Sequence, residues 1–287
     1  METTRAWWTL AATTAIATVM VGCGGSARYA PSSPVASRGG EEPSFDQSPE
    51  ATTAGAAPAA EARAADAPPG KPGLATQWGE DRFSRISSVH FERSDDDSPF
   101  GVARLFYNDA EGSRAMASGS GFRRTASGTF SIAGGALELG LRDEDGRFFS
   151  GFTAESRDFV VGEAGQRYTI VVRNRTNARF ECVLSVDGLD VLDGKTASFR
   201  KRGYIVAGHG ELEVEGFRQS TDSVAAFRFG SVRDSYAAQK HGDVRNVGVI
   251  GLAAFPERGF DPFPWSRAEV RQRNDANPFP GQFASPP

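Results

Sequence analysis

The chain has 287 residues, two cysteines and a formal net charge of only -4. So weak and mixed a charge recruits neither nucleic acid nor an acidic substrate by long-range attraction. With Cys23 set aside for the role argued below, Cys182 has no partner for an intrachain disulfide, and it is expected to be a small buried hydrophobe.

The first residues, Met1-Glu2-Thr3-Thr4-Arg5, supply a charged start, and residues 6–21 then run without a charge. The run is rich in Ala and Thr and too weakly apolar for a spanning helix, so it reads as a cleaved leader. Met20-Val21-Gly22-Cys23 resembles the bacterial lipobox, an apolar and small-residue stretch before a cysteine. The resemblance implies a signal peptide over residues 1–22, cleavage before Cys23, and acylation of its thiol. Gly24, where an inner-membrane lipoprotein often has Asp, implies the outer membrane. Two or three acyl chains at about 0.8 kcal/mol per buried methylene give long-lived attachment to a lipid bilayer.

Residues 23–82 are mostly Gly, Ser, Ala, Pro and Thr, the composition of a disordered tether with a reach of roughly 5–6 Å times the square root of its length. From residue 83 to 259 short β-branched and aromatic runs alternate with Gly, Asp and Asn turns, which predicts an all-β domain, an antiparallel sandwich or barrel. Strands are expected at 85–91, 101–107, 128–132, 136–141, 147–152, 158–161, 167–174, 180–186, 204–207, 211–217, 224–229 and 247–255. One short helix is expected at 234–240. Tyr168–Asn174 and Phe180–Val186 read as a hairpin, the second strand half-buried, with Glu181 and Ser185 in water. Residues 260–287 form a Pro-rich tail, expected to be disordered, with two related units, Asp261-Pro262-Phe263-Pro264-Trp265 and Asn277-Pro278-Phe279-Pro280-Gly281. Either unit can be a docking peptide or lie across its own domain.

The stretches Asn174-Arg175-Thr176, Val186-Asp187-Gly188-Leu189-Asp190-Val191-Leu192-Asp193-Gly194-Lys195, Ala226-Phe227-Arg228-Phe229 and Asn246-Val247-Gly248-Val249-Ile250-Gly251 together resemble an uncharacterised bacterial family of secreted or envelope β-rich domains. That resemblance covers about a third of the chain and brings no site residues with it.

Chemistry is sparse. Asp187, Asp190 and Asp193 recur every third residue and are weak calcium candidates, lacking the ligand order of an EF-hand; otherwise Asp187 and Asp193 open turns and Asp190 faces water. Gly188 to Thr196 ends in Gly-Lys-Thr but has five residues between its glycines, where a phosphate loop has four. His90, His209 and His241 lack zinc spacing. Glu211, Glu213 and Glu215 share a solvated strand face, and Arg200-Lys201-Arg202 is a charged turn or a small basic patch. No metal, cofactor or catalytic residue is expected. The pattern reads as a binding or assembly module in the cell envelope with an envelope protein or glycan as partner. The alternative is an enzyme acting on peptidoglycan or polysaccharide, which requires a cleft where His209 or His241 meets a carboxylate.

Overall fold

The computed structural model describes residues 33–37, 71–117, 122–125, 127–265 and 267–277. The expected leader, Cys23, most of the expected linker and the second Pro-Phe-Pro unit beyond Asn277 lie outside them. In chain order the elements are β1 (Ser33–Ser37), β2 (Leu74–Phe83), β3 (Ile86–His90), β4 (Gly101–Asn108), α1 (Ala110–Met116), β5 (Phe122–Thr125), β6 (Thr129–Ile132), β7 (Leu137–Arg142), β8 (Gly151–Ala154), β9 (Arg157–Val161) and β10 (Arg167–Asn174). They continue with β11 (Phe180–Val186), β12 (Leu189–Asp190), β13 (Tyr204–Val206), β14 (Glu211–Val214), β15 (Gly216–Arg218), β16 (Ser223–Ser231), α2 (Tyr236–His241), β17 (Val249–Pro256) and α3 (Arg267–Asn274).

These strands build two open sheets. One runs β3-β1-β13-β11-β17-β4-β9-β8-β5 with β12 added on β11; the other runs β15-β16-β10-β7-β6 with β14 on β10 and β2 on β16. The expected all-β sandwich is therefore present, and it is not a closed barrel. Most pairs are antiparallel, with β1–β3 and β4–β9 parallel. The core lies between the sheets, where alternate residues of β10 (Tyr168, Ile170, Val172) meet those of β11 (Phe180, Cys182, Leu184, Val186) and β17 (Ile250, Leu252, Ala254). Period-two alternation puts these side chains on one face of each strand.

Several expectations need correction. First, β10 and β11 are not a hairpin, since they belong to different sheets. The connection between them is a corner built on the buried Asn174, whose Nδ2 donates to the Ala178 carbonyl at 2.6 Å and the Ala207 carbonyl at 2.9 Å, while its Oδ1 accepts from the Thr176 amide at 2.9 Å. Second, Glu181 is fully buried, and β11 is covered on both faces.

Third, the domain begins well before residue 83. β2 buries Leu74, Ala75 and Thr76 and pairs with β16, and β1 lies inside the expected linker. Fourth, the tail has order: Pro262 is buried, Phe263 rests 5.9 Å from Phe100, and α3 follows. The expected strand 211–217 divides at Glu215, because β14 pairs with β10 and β15 with β16. The helix lies close to its expected place, with the Ser235 side chain accepting from the Ala238 amide and Gly242 closing it in the left-handed conformation.

The outward side of the second sheet carries a lattice of ion pairs. Arg142 pairs with Glu211 and Glu213, Arg173 with Glu211, Arg82 with Glu215, and both Arg167 and Arg228 with Glu80. The expected solvated face of Glu211, Glu213 and Glu215 is thus a cross-strand network. Hydrogen bonds from Arg228, from its own backbone and from Arg167 pull the Glu80 carboxyl down to about 2.

Candidate functional site

A cleft of about 1050 Å³ opens beside α1, β5 and the loop that leads into β8, a size at the upper end of small-ligand sites. Its apolar wall is Phe148, Phe149, Phe152, Val161 and Ala110. Around this wall stand the hydroxyl-bearing Thr125, Ser127 and Ser150 and the guanidiniums of Arg114, Arg124 and Arg147.

Local sequence explains how each wall is held. α1 starts at Asp109, whose carboxylate accepts from the Gly112 amide at 2.7 Å and caps the helix. One turn later Ser113 is fully buried, and its Oγ has no hydrogen-bond partner among the described residues. At 0% exposure it lies beneath the cleft wall rather than on its open surface. Arg114 is the next residue. Arg114 and Arg124 are exposed, and neither forms an ion pair among the described residues; Arg147 pairs with Asp143 and Asp145.

The expected strand at 147–152 is mostly not a strand. Arg147 to Ser150 form the lip of the cleft, and regular pairing starts at Gly151. Phe148 is held between two cations, with the Arg142 and Arg173 guanidiniums 4.7 and 4.9 Å from its ring centre. Phe149 meets Phe229 of the core edge-on at 5.6 Å, and Phe152 stacks on Phe159 at 5.0 Å. Gly128 has φ +65°, and a Cβ there would stand 2.6 Å from the Phe148 Cβ. Only glycine allows the loop before β6 to pass so close to that wall.

The calcium candidates lie elsewhere and serve the fold. Asp187 opens an Asp-Gly turn at φ +54° and is buried. Its carboxylate accepts from the Thr76 amide at 2.7 Å, the Tyr107 hydroxyl at 2.5 Å and the Gly248 amide at 2.8 Å. Thr76 Oγ1 sits 2.7 Å from the Tyr107 hydroxyl and 2.6 Å from that of Tyr168. Burial pushes the Asp187 carboxyl up to about 6, against the pull of these donors. Burial and the Asp187 charge raise both tyrosines well above their ordinary value.

Asp190 is buried too, contrary to the expectation that it faces water, and it accepts from the Leu192 and Asp193 amides. Asp193 pairs with Lys201 at 2.7 Å. The three carboxylates thus serve three different sets of donors. No cluster of three metal-capable side chains occurs among the described residues.

The other sequence candidates are placed as follows. His209 Nε2 lies 2.9 Å from Asn177 Oδ1, and His241 Nε2 lies 2.9 Å from the Gly194 carbonyl. Neither contact is with a carboxylate. Cys182 is buried, and burial together with the neighbouring Glu181 charge raises its thiol well above the ordinary range. Gly194-Lys195-Thr196 forms a turn against Tyr236 rather than the start of a helix. Arg200 and Lys201 of the basic patch pair with Asp97 and Asp193, and Arg202 with Glu181.

The cleft residues were not singled out from sequence. Their signals were Asp109-Ala110-Glu111, which is a helix start, and Phe148-Phe149 after an Asp-Gly turn. Chemically the cleft offers an apolar surface, hydroxyl donors and cations, which suits a ligand with an apolar body and an anionic end. No family model, curated protein or solved structure matches the chain.

Proposed function

We propose that the chain is a lipid-anchored envelope protein whose β-sandwich binds an anionic amphiphile in the Phe–Arg cleft. The observation that carries the binding role is the apolar wall of Phe148, Phe149 and Phe152 in a cleft that also presents the exposed Arg114 and Arg124. A carboxylate, phosphate or sulfate facing either guanidinium forms a charge-assisted hydrogen bond of about 1.5–3 kcal/mol. The lipobox-like Met20-Val21-Gly22-Cys23 supports the anchor, and outer-membrane placement follows from Gly24. A binding module is favoured over an enzyme because the lining groups hold a ligand without offering an acid–base pair.

Two results follow. Cells fed an alkyne-bearing fatty acid incorporate label into the protein, and Cys23→Ser abolishes it; label that persists in the variant refutes the anchor. In calorimetric titration of the Cys23→Ser chain with laurate below its micelle concentration, binding is saturable. Arg114→Glu and Arg124→Glu each weaken it about tenfold or more. Arg245→Glu, at an exposed pair with Asp243, leaves it unchanged. Absence of saturable binding, or binding indifferent to Arg114 and Arg124, refutes the cleft.

A further inference from the structure

The large apolar side chains exposed among the described residues are unevenly placed. Phe260, Phe263, Trp265 and Val270 all fall in one short stretch and are 57, 45, 55 and 43% exposed. This stretch is fixed to the domain rather than hanging from it. Pro262 is buried. The Phe263 ring lies 5.9 Å from Phe100, which in turn lies 5.8 Å from the core residue Phe180. Phe263 also rests on Gly134, where an added Cβ would meet the ring at 3.4 Å. With Phe263 as the rivet, Phe260 and Trp265 are displayed to solvent on either side of it.

Two arginines stand at one end of the display. The Arg273 guanidinium lies 5.0 Å over the Trp265 ring, and Arg271 and Arg273 occupy the last turn of α3. From Ala268 onward every residue of α3 is exposed. Asp261 is occupied locally, accepting from the Phe263 amide at 2.8 Å; Glu269 is the acid of the first turn, and the exposed Asp275 follows the end of α3. Several large apolar side chains exposed within one short stretch mark a candidate interaction site. Aromatic rings that settle at headgroup depth, beside arginines whose planar forks match phosphate, have the chemistry of a bilayer interface.

We propose that Phe260–Trp265 and the last turn of α3 form a membrane-contact surface, with Phe260 and Trp265 entering the headgroup region and Arg271 and Arg273 meeting phosphates of an anionic bilayer. The surface is separate from the cleft and does not depend on acylation of Cys23. It would hold the domain against a membrane face and so fix its orientation.

The test is flotation of the full chain carrying Cys23→Ser with vesicles of phosphatidylglycerol and phosphatidylcholine at equal amounts, against phosphatidylcholine alone. The ratio of the two partition coefficients cancels any uptake that ignores lipid charge. The parent chain prefers the anionic vesicles, and the preference declines with salt. Arg271→Glu/Arg273→Glu lowers partitioning into anionic vesicles about 25-fold or more, since each cation lost near such a surface costs about fivefold and the added carboxylates are repelled. Phe260→Ser/Trp265→Ser lowers partitioning about tenfold or more and removes a fluorescence blue shift on vesicle addition, while Phe199→Ser, also exposed, changes nothing. Equal flotation of both double variants and the parent overturns the proposal. So does an outcome in which flotation is unchanged and the same variants lose a cross-link to another protein, which would assign the patch to a protein partner.

Discussion

Arg93→Ala is expected to destabilise the domain by about 3–5 kcal/mol, the usual cost of breaking a buried ion pair from one side. Arg93 and Glu181 are 2% and 0% exposed and lie 2.9 Å apart. The guanidinium also donates to the Phe199 carbonyl at 2.7 Å and the Lys201 carbonyl at 2.5 Å, and it lies 3.8 Å over the Phe255 ring. One side chain therefore neutralises a charge on β11, covers the outer face of β17 and ties down the loop through Phe199. In its absence Glu181 retains the Gly203 amide at 2.6 Å and Arg202 at 3.4 Å, too little for a charge in that position. Chemical denaturation reads the loss directly. Adding Glu181→Gln to Arg93→Ala is expected to restore part of the stability, because the unpaired charge is gone. A double variant no more stable than Arg93→Ala alone would mean that packing, not charge, is what Arg93 supplies.

Asp187→Asn is expected to do two things at once. It leaves the Thr76 amide facing an amide donor where it had a carboxylate oxygen, at a cost of about 1–3 kcal/mol. It also removes a pH dependence. The Asp187 carboxyl titrates near 6 in the fold against an ordinary 3.8, so between those values the folded state holds the proton more readily than the unfolded chain. Its contribution to stability is complete below about pH 4 and is lost as pH rises through 6, a change on the order of 3 kcal/mol. Asp190, raised to about 6 chiefly by burial, acts in the same sense. Glu80, lowered to about 2 from 4.5, acts oppositely, since its stabilisation is present above pH 4.5 and disappears as pH falls through 2. The parent is therefore most stable in mildly acidic solution, and urea unfolding from pH 4 to 7 should show a flatter profile for Asp187→Asn. An unchanged slope would remove Asp187 as its source.

Much of the fold was legible because it depends on period-two patterning within short runs. The limits of β10 and β11 were read correctly from the apolar residues of Tyr168–Asn174 and Phe180–Val186. Their relation to each other was not. A connection of a few polar residues suits either a hairpin or a crossing between sheets, and the deciding feature is the buried amide of Asn174, whose bonds reach Ala207. β2 was missed because Gln77 to Arg82 looks like linker. Its stability comes from pairing with β16, more than a hundred residues away in the chain. Glu181 looked solvated because its covering cation, Arg93, belongs to an irregular segment that periodicity does not detect.

The site was less legible than the fold. Local sequence says that Arg147 to Phe152 is rich in strand formers, yet Phe148 turns out to sit between Arg142 and Arg173 as part of a loop wall. The meeting of Arg114 and Arg124 at one cleft is a property of packing and has no sequence signature. Conversely, the carboxylate series at 187, 190 and 193 drew attention as possible chemistry, and its buried members turn out to build the turn and a core hydrogen-bond network. The Pro-Phe-Pro tail was read as docking peptide or cover, and its first unit covers Phe100 while exposing its neighbours.

The binding claim is tested most directly by photolabelling the protein with a diazirine-bearing fatty acid and mapping the modified peptides. Label concentrated on residues 110–117 and 146–152, competed by unlabelled laurate and reduced in Arg124→Glu, is the predicted result. Label spread evenly over the domain, or confined to the exposed stretch 260–270, would contradict the cleft as the ligand's seat.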